Sequence, residues 1–121
     1  MKNILVIDDN RHVLQLMCEM LGRYGYNVFP ATDGVEGMKI YEKSIPDLVI
    51  TDIVMPEKEG IEIITELRAR EPKPKIIAIS GGGRLGPEEY LPIALMLGAD
   101  QVLEKPFLPK ELIANVRELI G

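Results

Sequence analysis

A single cysteine, Cys18, and a single histidine, His12, are all that the chain offers of two metal-binding residue types. One cysteine excludes an internal disulfide and a cysteine-based zinc site, and one histidine cannot by itself build a histidine-rich metal site. The neighbours of Cys18 are apolar and at helical spacing, which makes it a packed or half-exposed thiol. Long hydrophobic runs are missing too, none approaching the roughly 18 residues of a membrane span. The opening MKNILVIDD sets two carboxylates after only four apolar residues and does not read as a secretory signal. Basic charge is also short. With 14 Lys and Arg against 19 Asp and Glu, the net charge of −5 argues against a nucleic-acid backbone as the main ligand. These absences lead us to expect a cytoplasmic protein with neither a nucleic acid nor a membrane as its direct partner.

What is present is a chain of 121 residues, 46% hydrophobic and 27% charged, which suits one globular domain over residues 1–121. Four short runs rich in β-branched residues stand out: Ile4–Ile7, Leu48–Thr51, Ile76–Ile79 and Gln101–Leu103. They do not alternate with polar residues, as expected of strands buried on both faces of a parallel sheet. A weaker fifth run, Tyr26–Ala31, carries Pro30, which suits a strand end or a sheet edge. Between the strands, Val13, Met17, Met20 and Leu21 share a helical face, as do Ile61, Ile64 and Leu67. Leu112, Ile113, Val116, Leu119 and Ile120 repeat the pattern, and Thr32–Lys43 reads as a shorter helix capped by Thr32 or Asp33. The order is βα five times over. Right-handed crossovers then predict an α/β fold, a doubly wound five-stranded parallel sheet with helices on both faces.

Such sheets bind ligands beyond the carboxyl ends of their strands, where the strand order reverses. The first strand ends at Asp8-Asp9, the third at Asp52, the fourth at Ser80 and the fifth at Glu104-Lys105-Pro106. Each has an ordinary reading when taken alone. Asp8 or Asp9 could cap the following helix, Asp52 and Ser80 could serve turns, and Lys105 could be a solvated charge. Together they converge on one rim. Carboxylates crowded near one point repel each other unless a cation or a lysine joins them. Oxygen-only ligands suit a hard cation such as Mg²⁺, and Lys105 with the Ser80 hydroxyl suits a phosphoryl group.

The segments VIDD, DLVITDIVMP, IIAIS and VLEKPF, in this order and spacing, closely resemble the receiver domains of two-component response regulators. The resemblance spans essentially the whole chain and implies a flavodoxin-like (βα)5 fold. It implies Asp52 as a phosphoacceptor, with Lys105 and Ser80 holding the phosphoryl oxygens. It also implies Mg²⁺ (or Mn²⁺) held by Asp9 and Asp52, by Asp8 directly or through water, and by the backbone carbonyl of Val54. The implied phosphodonor is a sensor histidine kinase or a histidine phosphotransfer protein, and the implied output is a protein target or an attached domain. Lys105-Pro106 is a candidate cis peptide bond.

Two features depart from the family pattern. The family often carries Tyr or Phe three residues before the lysine, where this chain has Val102, so the usual aromatic readout is not available. The stretch SGGGRLGPEEYLP is a few residues longer than in simple receivers. It predicts a Gly-rich loop, a short turn near Pro87–Tyr90 and a fourth helix starting near Pro92.

Three rival readings compete with this one. Gly81 to Gly86 fits GxGxxG with Glu104 downstream, but Pro87 follows directly and too little chain remains for a dinucleotide fold. An aspartate-nucleophile phosphatase needs a second Asp two residues after the first, where this chain has Val54. The third is a receiver-like interaction domain that is not phosphorylated. No linker is legible after the last helix, so the chain reads equally as a free-standing receiver or as the first part of a longer regulator.

Overall fold

The computed structural model describes residues 2–53, 60–80, 92, 95, 96 and 98–121. Within them the elements run β1 (Asn3–Ile7), α1 (Arg11–Arg23), β2 (Asn27–Ala31), α2 (Gly34–Ser44) and β3 (Leu48–Asp52). They continue with α3 (Gly60–Arg68), β4 (Lys75–Ser80), β5 (Gln101–Glu104) and α4 (Pro109–Ile120). All five strands are parallel, in the order β2-β1-β3-β4-β5. The expected doubly wound sheet is therefore present. The loop and turn expected between Ser80 and Pro92 lie outside the described residues, as does the start of the helix expected there. Pro92, Leu95 and Met96 are themselves helical.

Alternate residues of each strand feed one of two apolar layers. Leu5, Ile7, Val49, Ile76 and Ala78 pack with Tyr41 of α2 and with Ile63, Ile64 and Leu67 of α3. Ile4, Val6, Leu48, Ile50, Ile77, Ile79 and Leu103 pack with Leu14, Met17 and Leu21 of α1 and with Leu112, Ile113 and Val116 of α4. Burial on both faces explains why these strands carry unbroken apolar runs. The edge strands are the exceptions: only Leu103 of β5 is buried, and in β2 Pro30 is exposed, where its missing N–H costs no ladder bond.

The helices depart from expectation in detail. The buried stripe of α1 is Leu14, Met17 and Leu21, while Val13 and Met20 are only partly buried at its margin. Ile63 joins Ile64 and Leu67 in the core of α3, and the side chain of Ile61 lies outside the described residues. Cys18 is half-buried, and that burial pushes its thiol above the usual range. At the start of α2, Asp33 is the cap and accepts the Glu36 N–H at 2.8 Å. Glu36 reaches back in turn to the Thr32 N–H, also at 2.8 Å. Gly37 lets α2 lie against β1, because a Cβ there would stand 2.5 Å from Ile7 Cδ1.

Candidate functional site

The strand order changes direction at β1, which has β2 on one side and β3 on the other. Ile7 pairs with Thr51, so the next residues, Asp8 and Asp52, leave the sheet side by side. Ser80 ends β4 and pairs with Glu104 of β5, and its carbonyl accepts the Lys105 N–H at 2.8 Å. The sheet thus delivers Asp8, Asp52, Ser80 and Lys105 to one rim. Lys105-Pro106 is cis.

Lys105 Nζ lies 2.9 Å from Asp8 Oδ2 and 2.9 Å from Asp52 Oδ2. Asp8 is fully buried, Asp52 is 7% exposed, and the lysine side chain is 22% exposed. Burial alone would lower the Lys105 pKa. The hydrogen bonds to Asp52 and Asp8, with their two negative charges, outweigh it and hold the ammonium above its ordinary value. A fixed cation is what lets two buried carboxylates face one another.

The other oxygen of Asp8, Oδ1, accepts the backbone N–H of Asn10 at 2.9 Å. Neither Asp8 nor Asp9 caps α1. Asn10 does so, its Oδ1 accepting the N–H groups of His12 and Val13 at 3.0 and 3.2 Å. Sequence reasoning passed over Asn10, although an Asn directly before a helical pattern is a strong cap signal.

The Ser80 hydroxyl is buried and has no hydrogen-bond partner among the described residues. A buried hydroxyl without a partner costs stability, so this one is free to donate to an acceptor that a ligand brings. Val54, the remaining residue expected at the site, lies outside the described residues. Val102 is only partly buried and packs on the layer under α2 and α3. Thr51 is fully buried, and its hydroxyl donates to the Asp52 carbonyl at 3.0 Å.

Asp8, Asp9 and Asp52 each offer one carboxylate oxygen within 4.8 Å of the others. In an octahedral Mg²⁺ site, oxygens at about 2.0–2.1 Å from the ion stand at most about 4.2 Å apart. The three carboxylates fit such an ion with small movements, and Lys105 shows that two of them already converge on positive charge. Beside the rim, Leu16 and Met20 of α1 line an apolar groove of about 460 Å³ with Lys105, Pro106 and Phe107.

Comparison with known proteins agrees with this geometry. The family model of the response regulator receiver domain matches residues 4–117. The transcriptional regulatory protein CpxR of Escherichia coli is 37% identical over 120 residues, covering 99% of this chain and 50% of that protein. The alkaline phosphatase synthesis transcriptional regulatory protein PhoP of Bacillus subtilis is 36% identical, covering 98% of this chain and 48% of that protein. The chain therefore spans about half the length of these relatives. Among solved structures, a receiver domain protein from Clostridium thermocellum superposes with a TM-score of 0.90 at 30% identity, covering 99% of this chain and 94% of that one. A CheY-like receiver protein from Methanospirillum hungatei gives 0.88 at 30% identity, covering 98% and 92%. With the fold, the rim and these likenesses in agreement, the chain belongs to the receiver domain family of response regulators.

Proposed function

We propose that residues 1–121 form one receiver unit that accepts a phosphoryl group on Asp52 from a phosphohistidine and signals by a change of conformation. One observation carries the proposal. Lys105 bridges the buried carboxylates of Asp8 and Asp52 at 2.9 Å, at the rim where the buried Ser80 hydroxyl has no partner among the described residues.

The chemistry asks little of the protein beyond placement and charge. The Asp52 carboxylate attacks phosphorus, the P–N bond to the donor imidazole breaks, and the nitrogen keeps the electron pair. The product is an aspartyl phosphate, a mixed anhydride that water hydrolyses, so the signal is timed. Lys105 and Ser80 offer an ammonium and a hydroxyl to the oxygens on which charge accumulates. Asp9 and Asp52, with Asp8 and the Val54 carbonyl, would hold Mg²⁺ or Mn²⁺. The ion supplies positive charge that offsets repulsion between acceptor and donor. On this reading the chain is a phosphoacceptor that promotes its own labelling and hydrolysis, not a turnover enzyme, and it works in the cytoplasm.

A sensor histidine kinase or histidine phosphotransfer protein would rest its phosphohistidine over the rim, with the apolar groove of α1 and Phe107 beside it. The added charge of about −1.5 to −2 would draw the Ser80 hydroxyl toward the phosphoryl oxygens and bias a two-state surface. A downstream protein or an attached output domain would read that surface. The names of CpxR and PhoP support a link to transcription.

Incubation with acetyl phosphate and Mg²⁺, followed by intact mass, tests the proposal. The expected result is a gain of one phosphoryl group that needs Mg²⁺ and is lost in Asp52→Ala. If no gain occurs and a beryllofluoride analogue also fails to bind, the chain is an unphosphorylated interaction domain.

A further inference from the structure

We infer that Asn10 is a positioning residue for the cation site, fixing Asp8 and Asp9 through the first turn of α1. The inference rests on the receiver reading given above. Asp8 is anchored on both sides: its N–H donates to the Ala31 carbonyl at 3.1 Å and its Oδ1 accepts the Asn10 N–H at 2.9 Å. The direction of that second N–H depends on the cap conformation of Asn10, φ −84° and ψ 104°.

Asn10 maintains that conformation with its own atoms. Its Oδ1 accepts two N–H groups of the first turn, and its carbonyl accepts the Leu14 N–H at 2.9 Å. One residue therefore ties the buried carboxylate to the end of a helix. Asp9, between these anchors, is exposed, and its carboxylate has no hydrogen-bond or ion-pair partner among the described residues. Among the described residues, only the backbone on either side sets where its carboxylate stands relative to Asp8 and Asp52. Alanine at position 10 keeps the chain length and the charge but releases the N–H groups of His12 and Val13. The Asp8-Asp9 segment then loses its fixed exit from β1.

The test is a calorimetric Mg²⁺ titration of the unphosphorylated protein, compared across wild type, Asn10→Ala, Asn10→Ser and Asp33→Ala. Serine restores a neutral cap. Asp33→Ala removes the cap of α2 instead, a lesion of the same kind on another helix. Asn10→Ala is expected to weaken Mg²⁺ binding roughly tenfold, the low end of losses when a metal ligand's support is removed. Asn10→Ser should return to within about twofold of wild type, and Asp33→Ala should stay there too. Equal binding by wild type and Asn10→Ala, or equal losses in Asn10→Ala and Asp33→Ala, overturns the role of Asn10 and leaves the receiver reading intact. A wild type that binds no Mg²⁺ and gains no phosphoryl group overturns both.

Discussion

At the scale of single residues, the site is an arrangement of charges that need one another. Asp8 is fully buried and Asp52 nearly so, and Lys105 lies 2.9 Å from each. Removing one member of a buried ionic group leaves the rest without compensation, which costs several kcal/mol when the site is closed to water. This rim is partly open, so Lys105→Met should destabilise the protein by about 2–3 kcal/mol in a urea titration with chelator present. Added Mg²⁺ should recover part of that loss, because it brings back positive charge. The pH dependence has a defined sign. The folded state raises the Lys105 pKa above the ordinary 10.5, so it binds the proton more tightly than the unfolded chain does. The stabilisation is complete below about pH 10 and fades as the pH rises through the folded value. Wild type and Lys105→Met should therefore differ fully near pH 8 and much less once the pH has passed the raised folded value. A difference that grows at alkaline pH would contradict the assignment of this charge.

At the scale of elements, α1 performs two tasks with two faces. Leu14, Met17 and Leu21 anchor it to the sheet, while Leu16, 48% exposed, and Met20 turn toward the groove beside Lys105. A small phosphodonor needs only the rim, whereas a protein donor needs a surface next to it. Leu16→Asp should therefore slow transfer from a phosphohistidine protein by about tenfold, the cost of placing a charge in an apolar contact. Labelling by acetyl phosphate should stay within about twofold of wild type. Equal slowing with both donors would show that the substitution disturbs α1 itself. The sequence revealed the apolar runs and the helical spacing because both register burial, and burial dominates these elements. It was less informative about which neighbour of a stripe is innermost. Val13 and Leu14 look alike as text, and only the rotation of α1 on the sheet separates them. Asn10 was missed for a related reason: its work is done by backbone and cap geometry, while the adjacent aspartates carry the more conspicuous chemistry.

At the scale of the whole molecule, the sheet brings together residues as far apart in sequence as Asp8 and Lys105. The strand order β2-β1-β3-β4-β5 makes the rim a property of the complete fold, which an unfolded chain lacks. That links cation binding to stability. A ligand that binds only the folded state stabilises it by about 2.7 kcal/mol at one hundred times its Kd, or about 10 °C in Tm for a domain of this size. Mg²⁺ should therefore raise the melting temperature steadily with the logarithm of its concentration. The net charge of −5 offers a competing explanation, since any salt screens self-repulsion in an acidic protein. Potassium chloride at matched ionic strength separates the two. A site built from Asp8, Asp9 and Asp52 predicts a rise with Mg²⁺ well beyond that with potassium, and a much smaller excess in Asp9→Asn. Screening alone predicts equal rises with both salts and little effect of that substitution, and such a result would remove the cation from the proposed chemistry.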